Sequence, residues 1–360
     1  MQVERIRRKP LDAIERARWR VGEAVHRGLA DGRRVGRDEG LAHWGRTPDP
    51  GSVRPGHEGG VGSHRPFRPR PLASAANPVL TVADVHDYGD AEFVADPFLF
   101  ASETDGWNLF FEVYNRDRTP TGVIGHATSG DAGRSWTYTG VVLRDEVHLA
   151  FPYVFEWNGS YFMIPDRWNR ERAAPIRVFR TDSLPDGWRP VSTVVAPDRQ
   201  LADCVAFRWN DRWWALLGSD DGRYELEAYY TDDLLADGWT PHDDNPVVSG
   251  RPTAARPAGR PIVGEDSVLV FFQDCAAQYG DRVRAYEIDR LAPDEYADSE
   301  RPESPILEGT GRALGWNGGR MHHVDPWDTG DGWLCAVDGN VGLGRRAFGP
   351  NHWAIGMFRA

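Results

Sequence analysis

The sequence predicts an all-β chain folded as a five-bladed β-propeller, closed by a strand from its N-terminal side. Three observations carry that expectation. Beyond residue 76 the chain is rich in Trp, Tyr and Phe, set in short alternating runs with turn signals roughly every 8–12 residues, which is a strand signature. One motif returns five times, beginning at residues 94, 149, 201, 255 and 323. The last copy is one strand short, and a segment ahead of the first copy resembles the missing piece.

The elements follow in order. LDAIERARWRVGEAVHRGLA (11–30) places Leu11, Ile14, Ala17, Val21, Val25 and Leu29 at steps of three or four, so residues 1–30 are expected to hold a basic amphipathic helix. Such a helix suits a partner or a membrane surface; a solvated leader is the plainer reading. Residues 31–75 are dominated by Gly, Arg, Pro and His, too polar to offset chain entropy by burial, and read as a flexible linker. The propeller is expected over 76–360.

The five copies are VADPFLFASETDGWNLFFE, LAFPYVFEWNGSYFMIPD, LADCVAFRWNDRWWALLGS, ARPAGRPIVGEDSVLVFFQD and HVDPWDTGDGWLCAVDG. Each reads as a strand, a turn and an apolar strand, hence a hairpin. Third strands follow at VIGHATS (123–129), IRVFRTD (176–182), LEAYYTD (226–232) and VRAYEID (283–289). Turns with tryptophan come next: SGDAGRSW (129–136), LPDGW (184–188) and LADGW (235–239). Asp131, inside the first of these, reads as structural. NPVVSG (245–250) and SPILEG (304–309) are expected as fourth strands. The fifth copy adds HWAIGMF (352–358) and lacks a fourth strand, so NPVLTV (77–82) is expected to supply it and remove an open edge.

Composition narrows the function. The 360 residues carry a formal net charge of -12. Residues 1–75 hold 16 Lys and Arg against 9 acidic residues, and the remainder holds 26 against 45. A body this acidic repels phosphates, so no nucleic-acid partner is expected. Lys9 is the lone lysine, and abundant Asp without Lys resembles proteins of halophilic archaea. No run approaches the roughly 18 apolar residues of a membrane span, and no secretory signal is seen, so a cytoplasmic protein is expected. Cys204, Cys275 and Cys335 are too few and too odd in number for a disulfide framework and read as reduced, buried thiols.

In a propeller the first strand of each blade lines the channel, and its start faces the end of the second strand. Aligning the copies gives one ring of Asp96, Phe151, Asp203, Arg256 and Asp325, and a second of Glu112, Asp166, Gly218, Gln273 and Asp338. His148, Arg260, Asp274, His322 and His323 fall around them. A core built for stability alone avoids so many ionisable groups, because unpaired buried charge is costly. Converging carboxyls push their pKa values apart, which separates an acid from a base. Glycosidic-bond hydrolysis requires such a pair. Asp96, Asp203, Asp166 and Glu112 are therefore the candidate catalytic carboxyls. His148, Arg256, Arg260, Gln273, Asp274, His323, Asp325 and Trp168 are the candidate substrate-binding residues, with the arginines able to hold a carboxylate ionised. Trp168 and Trp327 could stack on a sugar ring. Turn capping remains open for Asp96, Asp203 and Asp325, and Asp338, followed by glycine, reads as a turn residue. His322, His323 and Asp325 have a spacing that could hold a metal, but it is weakly specific, and no metal or other cofactor is expected.

VADPFLF with LFFE, HLAFPYVF with FMIPD, RPAGR, FFQDC and HHVDPW resemble the five-bladed propeller of the glycoside hydrolase family 43 superfamily. Within it they are most similar to the N-terminal propeller of plant glucosamine inositolphosphorylceramide transferases and its prokaryotic relatives. The resemblance covers residues 77–360. It implies that Asp96 matches the general base of the hydrolases. Their second-blade carboxylate falls at Phe151, with Asp166 a substitute from the neighbouring strand, and their third-blade glutamic acid falls at Asp203. It also implies that sugar transfer in the plant proteins resides in a separate domain. The expected function is that of a carbohydrate-active propeller, glycosidase-like in its chemistry; the alternative is a glycan-binding or scaffold module. Either way the expected ligand is a carbohydrate or glycoconjugate.

Overall fold

The computed structural model describes residues 66–102, 106–342 and 352–360. The expected helix over 1–30 and most of the expected linker lie outside the described residues. Five antiparallel sheets form the blades. Blade one is β2 (Phe93–Ser102), β3 (Gly106–Tyr114), β4 (Gly122–Ser129) and β5 (Thr137–Leu143). Blade two is β6 (His148–Trp157), β7 (Ser160–Trp168), β8 (Ile176–Thr181) and β9 (Arg189–Val195). Blade three is β10 (Leu201–Trp209), β11 (Arg212–Ser219), β12 (Leu226–Thr231) and β13 (Thr240–Pro241). Blade four is β14 (Ile262–Val263), β15 (Val268–Asp274), β16 (Arg282–Ala292) and β17 (Glu295–Glu300), with β18 (Leu307–Glu308) also on β16. Blade five is β19 (Val324–Asp328), β20 (Trp333–Asn340), β21 (Trp353–Arg359) and β1 (Arg70–Pro71).

The ring closes from the N-terminal side, but earlier in the chain than expected. Arg70 and Pro71, within the expected linker, pair with Arg359 and Phe358. NPVLTV then continues along β21 through a single bridge, Leu80 to Ile355. NPVVSG and SPILEG are not outer strands either. The outer strands of blades three and four are β13 and β17, and the two segments run beside the third strands, through Val248 to Leu226 and Leu307 to Val283. The likeness among the three segments has a physical basis. Asn77, Asn245 and Ser304 each precede a cis-proline. Each side chain both donates to and accepts from one third-strand peptide: Asn77 with Met357 at 2.9 and 2.7 Å, Asn245 with Ala228 at 2.7 and 2.8 Å, Ser304 with Ala285 at 3.0 and 2.9 Å. A side chain thus stands in for a strand partner and satisfies backbone groups that would otherwise be orphaned.

Aromatic rings pack across several blade boundaries: Phe100 on Trp327 at 5.4 Å, Phe110 on Trp188 at 6.0 Å and Phe155 on Trp213 at 5.7 Å. Phe98, Phe100, Phe110, Phe155 and Trp213 are fully buried, and burying each contributes roughly 1.5–3 kcal/mol. Phe67, ahead of β1, packs on Phe271 of blade four at 5.0 Å and on Trp333 of blade five at 6.5 Å, a second tie across the closure. The tryptophan turns behave as expected. Asp131 accepts from Ser129 Oγ at 2.8 Å and from the Ser135 amide at 2.9 Å, while Trp136 Nε1 donates to the Gly133 carbonyl at 3.2 Å. Asp131 is a turn residue.

Candidate functional site

The first ring is built on a backbone irregularity. Asp96, Phe151 and Asp203 all take left-handed backbone angles, with φ of 52°, 43° and 57°. Each sits where the first strand inserts an extra residue, between Ala95 and Phe98, Ala150 and Tyr153, and Ala202 and Val205. Such a bulge re-aims a side chain, and a bulky residue held there costs about 1–3 kcal/mol that the surrounding fold must offset. The second ring holds register against it: Glu112, Asp166 and Gly218 pair with Ala95, Ala150 and Ala202. Two sets of side chains therefore meet at one end of the channel. Gly218 is small because blade four passes over it; a Cβ there would lie 2.7 Å from the Ala255 carbonyl oxygen.

Five carboxyl side chains converge, all buried: Asp96, Glu112, Asp166, Asp203 and Asp338. Their surroundings differ. Asp338 is the anchor. It accepts from the backbone amides of Asp96, His322 and His323, each at 3.1 Å, and from His322 Nδ1 at 2.8 Å. Burial alone would raise its pKa, but His322 and these bonds outweigh burial and hold it below the usual carboxylate value. His322 is correspondingly raised, since Asp338 outweighs the burial that disfavours its charge. Its ring stacks on Trp353 at 4.1 Å, and its Nε2 lies 3.8 Å from Asp96 Oδ1. Asp96 is pushed up to about 7, first by burial, with Asp338 and Asp203 adding to it and His322 opposing.

Glu112 and Asp166 are held well above the ordinary range by burial, Glu112 further raised by Asp96 and Asp166 by Asp203. Both therefore hold their protons to higher pH than an ordinary carboxyl. Asp166 Oδ1 has no hydrogen-bond partner. Glu112 faces His148 Nε2 at 3.3 Å, and burial lowers His148 to about 4, so the imidazole is neutral at neutral pH and brings no charge to hold Glu112 ionised. Asp203 is raised by burial, but Arg256 works against that by donating Nε to its Oδ2, which also accepts from Gln273 Nε2 at 3.0 Å. Trp168 stands at the rim, 37% exposed, with its ring edge-on to His148 at 6.3 Å.

Several expected residues lie elsewhere. Asp325 does not share the position of Asp96. Blade five has no bulge, so Asp325 pairs with Ala336 and occupies the register of Phe98, Tyr153 and Val205, deeper in the channel. There Arg260 Nε donates to Asp325 Oδ1 at 2.9 Å, and its other nitrogens reach the carbonyls of Val154 and Leu99 at 3.0 Å each. Gly259 makes this possible, as a Cβ at that residue would stand 1.7 Å from the Val324 carbonyl oxygen. Arg260 thus ties blades one, two, four and five together beneath the carboxyl cluster. Asp274 faces away, bound to Arg284 at 2.7 Å. His323 is buried between Phe98 and Phe151, at 4.7 and 5.3 Å, with Nδ1 3.8 Å from Asp96. The set His322, His323 and Asp325 does not assemble; the groups whose ligand atoms lie within 4.8 Å of one another are Asp96, His322 and Asp338. Cys204 and Cys335 are buried, whereas Cys275 is half-buried. Of three further contributors, the sequence places Asp338 and His322 around the channel without making them candidates, and it misses Tyr279. Asp338, read as a turn residue for the glycine after it, lies within β20 in the register of Glu112 and Asp166. His322 adjoins it through HHVDP. Tyr279, whose ring lies 5.0 Å from the Arg256 guanidinium and 5.6 Å from His322, sits on a loop with no repeat to mark it.

Among the described residues no helix is long and apolar enough to cross a membrane. Solved structures with the same fold include a β-1,2-mannobiose phosphorylase from Listeria innocua. It is 14% identical with a TM-score of 0.61, and the match covers 82% of this chain and 97% of that one. The catalytic domain of a family 62 α-L-arabinofuranosidase from Coprinopsis cinerea matches at 12% identity and a TM-score of 0.59, covering 81% and 96%. At these identities the likeness shows the fold. Sequence relatives are nearer. Glucosamine inositolphosphorylceramide transferase 1 of Oryza sativa subsp. japonica is 34% identical over 278 residues, covering 74% of this chain and 36% of the relative. The Arabidopsis thaliana protein of the same name is 33% identical over 273 residues, covering 73% and 34%. The chain therefore spans about a third of the length of these relatives. The family model described as "Glucosamine inositolphosphorylceramide transferase 1, N-terminal" matches residues 70–340, and the chain belongs to that family.

Proposed function

We propose that this chain is a carbohydrate-active propeller that cleaves or transfers a glycosidic bond by carboxyl acid/base chemistry, with Asp96 as base and Asp166 as acid. The observation that carries this reading is the split protonation of one buried carboxyl cluster. Asp96, near 7, is available as a carboxylate at neutral pH, while Asp166, raised well above the ordinary carboxyl range, holds its proton more tightly and has a buried oxygen without a hydrogen-bond partner in the same cluster. The acid delivers its proton to the leaving oxygen, and the base takes one from the attacking water or hydroxyl. Asp338 orients His322, whose Nε2 lies 3.8 Å from Asp96 Oδ1 and favours the ionised form of Asp96 against burial. Arg256 and Gln273 position Asp203 beside them. The fold neighbours whose names describe glycoside-processing enzymes, and relatives whose name speaks of glucosamine, support a glycan or glycoconjugate as ligand.

A second reading, a glycan-binding module without turnover, is favoured by two features. Phe151 occupies a ring position without a carboxyl, and Asp203 is bound to an arginine. A screen of glycosides separates the two. Asp96→Asn and Asp166→Asn should each lower kcat by about 10²–10⁴-fold on whichever glycoside the intact chain turns over. Turnover surviving both substitutions refutes the acid/base assignment. Binding without turnover establishes the second reading.

A further inference from the structure

Beside the carboxyl cluster, between blades three and four, lies a pocket of about 140 Å³ that includes Arg256. Two of the residues lining it are tyrosines, Tyr224 and Tyr279, 40% and 46% exposed. Tyr224 is held at φ 56°, although a bulky residue there is strained and glycine would fit without cost. The Arg251 amide fixes its carbonyl at 3.2 Å. Tyr279 is fixed by its contacts with Arg256 and His322 and by Arg320 Nη1, which donates to its carbonyl at 2.7 Å. Two partly exposed aromatic rings, one backed by the Arg256 guanidinium, offer apolar surface and hydroxyl groups together, which suits the amphipathic face of a sugar ring.

The charge around the pocket narrows the ligand. Arg256 lies in it together with Asp220, and its guanidinium donates to both Asp220 and Asp203. With its guanidinium engaged by both carboxyls, the arginine leaves no uncompensated positive charge in the lining. An anionic group entering here would meet a neutralised arginine and a carboxylate, whereas a hydroxyl or an amine could approach Asp220, 32% of whose side chain is exposed. The volume is small against the roughly 300–1,000 Å³ of sites that enclose drug-sized ligands, so the pocket takes one ring and not a chain.

We propose that this pocket is a subsite for a single uncharged or amino-substituted hexose unit, stacked by Tyr224 and Tyr279 and rejecting anionic sugars. Its adjacency to a reacting bond rests on the catalytic reading above; the binding itself does not.

The test is saturation-transfer NMR with titration of the full chain by glucosamine, glucose and glucuronate. Glucosamine and glucose should bind with Kd of about 1–10 mM, and glucuronate should not. Tyr279→Ala and Tyr224→Gly should each weaken binding by about tenfold. Glycine suits the left-handed backbone at 224, so Tyr224→Gly removes the ring without straining the loop. Asp220→Asn should weaken glucosamine more than glucose. No binding of glucosamine or glucose at about 100 mM, equal binding of glucuronate, or unchanged affinity in both tyrosine variants overturns the proposal. Asp96→Asn separates this claim from the previous one. Lost turnover in Asp96→Asn with no monosaccharide bound by the intact chain removes the subsite alone. Monosaccharide binding that depends on the tyrosines, with no turnover of any glycoside, supports the subsite and removes the acid/base reading alone.

Discussion

Replacing Arg260 with methionine would leave Asp325 buried with 0% exposure and no counter-charge, and would take a donor from the carbonyls of Val154 and Leu99. Breaking a buried ion pair from one side costs about 3–5 kcal/mol, and each carbonyl left without a donor adds about 1 kcal/mol or more. Methionine keeps much of the packing against Phe98, Tyr153 and Trp327, whose ring centroids lie 5.3–5.9 Å from the guanidinium. The expected loss is therefore about 5–7 kcal/mol, a large share of the roughly 5–15 kcal/mol of a folded domain. Asp325 also sets a pH signature. Burial raises it to about 6 in the folded chain, with Arg260 opposing, against about 3.9 unfolded. A carboxyl raised by folding keeps its proton longer in the native state. Its contribution to stability therefore falls as pH rises from about 4 through about 6, and is level above that. Without Arg260 the folded value moves higher, so Arg260→Met should destabilise less at pH 5 than at pH 8. Urea unfolding at fixed salt measures both quantities. The double variant Arg260→Met/Asp325→Leu should recover at least about 2 kcal/mol of the summed single losses. A loss under about 1 kcal/mol for Arg260→Met, or strict additivity in the double variant, would refute the view that this pair ties the blades together.

Two further outcomes follow from the closure and the channel wall. Asn77→Ala removes both hydrogen bonds to the Met357 peptide and should lower stability by about 1–3 kcal/mol, read as a shift in urea midpoint; a shift below about 0.5 kcal/mol would mean that this segment does not hold the ring shut. Gly259→Ala places a Cβ 1.7 Å from a backbone oxygen at a residue with φ 142°, so it should cost more than about 3 kcal/mol or prevent folding, and a wild-type unfolding midpoint would contradict that.

The blades were legible because the hairpin motif repeats and because alternating apolar residues fix which face is buried. Register was legible only where each copy has the same residue count. VADPF and HVDPW look alike, yet two residues of blade one oppose a single residue of the partner strand, and in blade five they do not. Hydrophobic periodicity carries no mark of a bulge, so Asp325 was placed with Asp96 when it belongs two residues deeper. The likeness of NPVLTV, NPVVSG and SPILEG was real, but its cause was an Asn or Ser side chain mimicking a strand partner, and strand propensity could not distinguish the two. Asp338 was discounted for the glycine after it, although its alignment with Glu112 and Asp166 pointed to the channel. Tyr279 and Asp220 lie outside the strands, where nothing repeats, and only the folded chain brings them to Arg256.

The central claim is that the buried carboxyls hold their protons unequally. Carbon-13 NMR of the side-chain carboxyls, followed across pH in the intact chain and in Asp96→Asn, tests it without a substrate. One aspartate should titrate near pH 7 and vanish in Asp96→Asn, with Glu112 and Asp166 titrating well above the ordinary carboxyl range and Asp338 below it. Titration of Asp96 near the ordinary value of about 3.9, or a resonance titrating near 7 that persists in Asp96→Asn, would contradict the account.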